Sequence, residues 1–139
     1  MQQTIKLSQK VFSAREKTNM TENAINENFT ELYGKKYVCF LSQSGTDAPV
    51  PTVIYDTITG IAWARTGVGT YTATKSGAFT LGKTTPNASG ATTSDISGNK
   101  ITAEQTSVNV ITVKTYAAAD TTVLADGVLN SQEFQIKIY

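Results

Sequence analysis

The chain has 139 residues, 40% of them apolar, and 12 Lys/Arg against 11 Asp/Glu for a net charge of +1. That length fits one compact domain with a short appendage, and that charge offers no global handle on nucleic acid or an anionic membrane, so neither is expected as a partner. The absence of histidine removes the commonest general base and transition-metal ligand together, and the single Cys39 excludes an intramolecular disulfide and a cysteine-ligated zinc.

Met1 to Lys10 holds no continuous apolar run, so no secretory signal is read there. No stretch approaches the ~18 consecutive apolar residues of a spanning helix. Thr4 to Phe12 alternates at Ile5 and Leu7 and reads as an extended segment suited to docking on a partner. Thr18 to Tyr33 reads as a helix, with Thr18, Asn19 and Thr21 as candidate N-caps. Gly34 stands where a C′ glycine would end it, and Lys35 and Lys36 follow at the negative end of its dipole. Ile25, Phe29 and Leu32 are spaced four and three apart and form one narrow apolar stripe. Two burial schemes suit that stripe: packing on the chain's own β-region, or a short parallel bundle with other copies, in which these three residues are the oligomer interface.

Composition changes near Gly34. Residues 1–36 carry six basic and four acidic side chains with four threonines, whereas residues 37–139 hold thirteen charges, nine glycines and nineteen threonines. The first stretch is read as an attachment arm and oligomerisation helix, the second as a β-domain. Within 37–139 the strands are expected at Tyr37–Ser44, Pro51–Thr57, Ile61–Thr66, Thr70–Thr74, Ala78–Leu81, Lys100–Ala103, Ser107–Tyr116, Val123–Val128 and Phe134–Tyr139. Turn signals separate them at Ser44-Gly45, Thr59-Gly60, Gly67-Val68-Gly69, Ser76-Gly77, Ser97-Gly98-Asn99 and Asp126-Gly127. Thr84 to Asn99 has no periodicity and is expected as a long exposed loop. The fold expectation is therefore mainly β: a short N-terminal helix, then an antiparallel β-sandwich or jelly-roll-like domain.

Residues that carry chemistry are sparse. Gly67-Val68-Gly69 is followed by another strand instead of a helix, so it is a hairpin turn and not a nucleotide-binding loop. Asp47, Asp56, Asp95, Glu104, Asp120, Asp126 and Glu133 are scattered and lack the ligand spacing of a calcium loop. Trp63 shares an alternating face with Ile61 and is assigned to the core, as is Cys39. Tyr37, Tyr55, Tyr71 and Tyr116 are candidates for a sugar-stacking face, although their spacing does not gather them. Neither catalytic residues nor a cofactor are assigned.

The segment Asn23-Ala24-Ile25-Asn26-Glu27-Asn28-Phe29-Thr30-Glu31-Leu32-Tyr33 resembles one near the N-terminus of many tailed-phage structural proteins. Leu41-Ser42-Gln43-Ser44-Gly45-Thr46, residues 61–71 and the closing Phe134-Gln135-Ile136-Lys137-Ile138-Tyr139 are similar to small virion proteins of phages infecting Bacteroidetes. The resemblance implies a bacteriophage virion structural protein, made in the host cytoplasm: a homotrimeric short head or tail fibre, spike or capsid decoration. It would be held to other virion proteins of capsid or tail by its N-terminus. A host-surface glycan is a further partner it implies. A receptor- or carbohydrate-binding module is the alternative, and a small cell-wall hydrolase is the third class, for which no carboxylate pair stands out.

Overall fold

The structure is a computed structural model that describes residues 34–88 and 100–139. The chain divides into two units, Met1–Gly34 and Lys35–Tyr139. The helix expected at 18–33, with Ile25, Phe29 and Leu32, lies outside the described residues, as does the extended segment at 4–12.

Among its described residues the second unit has eight strands: β1 (Lys35–Ser42), β2 (Val50–Asp56), β3 (Ala62–Gly67), β4 (Thr70–Thr74), β5 (Thr84–Ala88), β6 (Lys100–Gln105), β7 (Val110–Tyr116) and β8 (Gln132–Ile138). They form two four-stranded sheets, ordered β2-β1-β8-β5 and β3-β4-β7-β6, and every pairing is antiparallel. The mainly β, sandwich-like architecture expected from the alternation is what the chain adopts.

Side chains alternate across a pleated strand, so the central strands β1, β8, β4 and β7 send every second residue into the space between the sheets. Tyr37, Cys39 and Leu41 of β1 and Phe134, Ile136 and Ile138 of β8 come from one side; Tyr71 and Ala73 of β4 and Ile111 and Val113 of β7 come from the other. The central strands of each sheet thus supply most of the core. Trp63 packs against it from β3, as expected, with its ring edge-on to Phe134 at 5.2 Å between centroids. Its indole N–H donates to the Tyr37 hydroxyl at 3.3 Å, which gives the polar end of each ring a partner.

Cys39 is fully buried, as its place in the strand suggested. Burial pushes its thiol from an ordinary value near 9 up to about 11, offset in part by the Tyr37 hydroxyl. The thiolate is the reactive form, so a thiol reagent at pH 8 should label less than a tenth of the native chains in an hour and one equivalent in 8 M urea. The sign of the linkage follows: this raised value adds stability below about 9 that is lost as pH rises through about 11.

Three expectations need correction. Thr84–Ala88 is not loop but β5, paired with β8 from Thr84↔Ile138 to Ala88↔Phe134. It occupies a sheet edge, where Pro86 is tolerated, and residues 89–99 of the expected loop lie outside the described residues. Ala78–Leu81 is not a strand: it is a turn that drops Phe79 fully into the core, fixed by Phe79 N–H to Val108 O and by the Gln105 amide to Phe79 O. Val123–Val128 is also irregular, pairing with β7 at the single bridge Tyr116↔Leu124, beside which the Thr115 hydroxyl donates to Ala125 O. In addition, the long strand expected at Ser107–Tyr116 begins at Val110, because Ser107–Asn109 make the β6–β7 hairpin turn.

Candidate functional site

Two features of the β-unit stand apart from ordinary core and solvated surface. The first is a polar clamp at one end. Arg65 of β3 is fixed in the sheet, and its guanidinium donates to both carboxylate oxygens of Asp126, Nε to Oδ1 at 3.0 Å and Nη2 to Oδ2 at 2.7 Å. This bidentate geometry holds both planes. Asp126 Oδ1 also accepts the Gly69 N–H at 3.0 Å from the β3–β4 turn.

The Tyr71 hydroxyl lies 3.1 Å from both Asp126 Oδ1 and Gln43 Oε1, so its one proton serves either acceptor. Gln43 Oε1 accepts the Gly127 N–H at 2.6 Å, and its amide nitrogen donates among the carbonyls of Ser44, Gly45 and Asp47. Three loops are therefore tied to one another: residues 43–47, the Gly67–Gly69 turn and the long connection before β8. The guanidinium of Arg65, and after it the Gly69 N–H and the Tyr71 hydroxyl, hold the Asp126 carboxyl down to about 2. Burial pushes the Tyr71 hydroxyl up, and the Asp126 hydrogen bond raises Arg65 further.

Beside the clamp lies an open cleft of about 310 Å³, lined by Ser42, Gln43, Ser44, Val50, Gly127, Leu129 and Asn130. Its polar groups are neutral hydroxyls and amides. Gln43 is saturated by the clamp, and the Ser42 hydroxyl accepts the Ser131 N–H, which leaves Ser44 and Asn130 at its rim.

The second feature is apolar. Val50, Val53, Ile54 and Tyr55 of β2 are 65%, 49%, 60% and 53% exposed, and Phe40 of the adjoining β1 is 38% exposed. β2 is an edge strand, and Val50 to Tyr55 contains no charged residue. Its register against β1 slips between Val38 and Cys39, which pair with Tyr55 and Val53, so Ile54 is the additional residue of a bulge. The strip wraps around the sheet edge in consequence.

The residues singled out from sequence distribute as follows. Tyr37 and Tyr71 are core, Tyr55 lies on the outer face of β2, and Tyr116 lies on the outer face of β7 beneath the Lys100 ammonium at 5.2 Å. No common aromatic face forms from these four, and the sugar-stacking candidate is withdrawn. Several acidic groups serve their own loops: Asp56 Oδ1 accepts the Ile58 and Thr59 N–H groups, and Asp120 Oδ1 accepts the Thr122 hydroxyl and N–H. The Thr122 contacts lower the Asp120 carboxyl. Among the described residues no three of His, Cys, Asp and Glu gather into a metal-binding group, and no helix is long and apolar enough to cross a membrane.

Both features escaped the sequence reading. Gln43, Arg65, Tyr71 and Asp126 are too far apart for spacing to link them. The strip left a legible trace, the uncharged and unalternating run Val50-Pro51-Thr52-Val53-Ile54-Tyr55. Comparison with known proteins finds no matching family model, no matching curated protein and no matching solved structure.

Proposed function

We propose that the chain is a structural protein of a bacteriophage virion: a short fibre, spike or capsid decoration, held to a capsid or tail protein by its N-terminal region and displaying the β-unit. The observation that carries this reading is the β2 strip, five exposed apolar side chains on an edge strand and its neighbour, on a unit whose organised polar side chains fasten its own loops. Contiguous exposed apolar surface marks a place for another protein. The resemblance of residues 23–33 and 61–71 to phage structural proteins supplies the setting. Assembly is proposed as a homotrimer, with Ile25, Phe29 and Leu32 contributing from the N-terminal region, and non-enzymatic.

The native mass of the full chain, compared with that of a chain starting at Lys35, tests the scheme. A trimer is expected for the full chain, with weaker association after truncation. A full chain that stays monomeric at 100 µM would overturn the self-assembling appendage. Antibody raised against the β-unit should decorate particles from infected bacteria at fixed positions in electron micrographs.

The cleft beside the clamp favours a second reading, a module for a neutral polyhydroxyl ligand such as a glycan. Ser44 and Asn130 supply hydrogen-bonding groups of the right kind, and Val50 supplies an apolar wall. A glycan array probed with the oligomer, with loss of signal on Asn130→Ala, would support it; an array without signal would end it.

A further inference from the structure

We infer that the strip on β2 is a self-assembly surface, seated in the native protein against the same strips of the other copies of this chain, which meet around the axis of the oligomer. This rests on the reading of the protein as a self-assembling appendage and names the partner of its apolar surface. The two sides of the sandwich differ. β5 and β6 approach each other and close one side, whereas β2 and β3, at the other, make no comparable approach. Val53 is paired with the core residue Cys39 and so lies on the core-facing side of β2, yet it is 49% exposed. The apolar interior therefore runs out to the surface at this edge.

Self-contact suits the strip's chemistry. With no charge from Val50 to Tyr55, bringing two copies together sets no like charges against each other within the strip, and β-branched and aromatic side chains meet their own kind. The five side chains, each 38–65% exposed, would bury on the order of 1,000 Å² in total between two copies, the lower limit for a specific interface.

The strand also carries devices that limit how it associates. Pro51 lacks an N–H, and the bulge at Ile54 breaks the regular spacing of the edge. A continuous ladder of backbone hydrogen bonds between copies is thereby blocked. The contact is one of side chains, Val53, Ile54, Tyr55 and Phe40 packing against their symmetry mates, which favours a closed oligomer over an open-ended sheet.

Tyr55→Cys in the full chain provides the direct test, since Cys39 is buried and silent. Under mild oxidation at 10 µM it should cross-link between copies at least tenfold faster than Val123→Cys, an equally exposed position away from the strip (52%). Equal rates would overturn the inference. Ile54→Lys provides a second readout: it should raise the concentration at which the oligomer dissociates at least tenfold, with an unchanged melting curve for the β-unit. Leu81→Lys, also exposed, should leave that concentration alone. An oligomer indifferent to Ile54→Lys and without Tyr55→Cys cross-links is held elsewhere, and the strip then serves a different protein. That outcome leaves the virion reading standing, because particle decoration by antibody reports on it independently.

Discussion

Alanine at Gly69 is expected to destabilise the β-unit by about 3–5 kcal/mol, enough to lower its melting temperature by more than about 10 °C. Two costs combine. Gly69 has φ +54°, a region that residues with a side chain enter only at a cost of about 1–2 kcal/mol. A Cβ there would also stand 2.5 Å from Thr115 O, 2.6 Å from Ala125 N and 2.8 Å from Ala125 O. These are backbone atoms and cannot swing aside. They are tied to one another as well, since Thr115 N–H donates to Gly69 O, Ala125 N–H donates to Thr115 O and the Thr115 hydroxyl donates to Ala125 O. Gly77 separates the two costs: its φ is +62° and nothing lies within 4 Å of an added Cβ. Gly77→Ala should therefore lose only about 1 kcal/mol. Urea denaturation of the full chain, followed by circular dichroism, measures both, and equal losses would show that the knot around Gly69 can yield.

That knot also shows where sequence stops being informative. The turn at Gly67-Val68-Gly69 was legible, because two glycines between alternating strands specify a hairpin. What the turn is pressed against was not, since Thr115 is brought in by β7, the neighbour of β4 in the same sheet, and Ala125 by the long connection before β8. The strands β4 and β8 could be read because their inward residues alternate with polar ones over five or more positions. β5 could not: Thr84-Thr85-Pro86-Asn87-Ala88 has no alternation, and it is a strand because β8 offers it an edge to pair with. The error at Ala78–Leu81 has the opposite cause. Phe79 and Leu81 look like strand residues, but Phe79 plugs the core from a turn while Leu81 stays exposed.

The candidate surface was half legible for a related reason. An uncharged run reads as a strand with both faces covered, whereas β2 has a bulge and an edge position that leave it bare. Only the sheet order distinguishes the two, and sheet order is a tertiary property. The expected interface at Ile25, Phe29 and Leu32 lies outside the described residues.

Asp126→Ala is expected to cost about 2–3 kcal/mol, and Asp126→Asn somewhat less. The ion pair with Arg65 is partly solvated, with side chains 21% and 18% exposed, so taken alone it contributes about 1 kcal/mol at most. The larger loss comes from the donors left behind: the Gly69 N–H loses its Asp126 acceptor, and the Tyr71 hydroxyl falls back on Gln43 Oε1 and its Thr115 contact. Asparagine keeps one carbonyl to accept Gly69 N–H but cannot meet both arms of the guanidinium. The pH dependence tests the assignment separately. Asp126 ionises at about 2 in the folded chain against an ordinary 3.8, so its contribution is fully present above about 4 and is lost as pH falls through about 2. Wild type and Asp126→Asn should therefore differ most in urea midpoint near pH 6 and converge by pH 2. A gap that stays constant from pH 6 to pH 2 would mean that the carboxylate charge plays no part in the clamp, and that shape alone ties the three loops together.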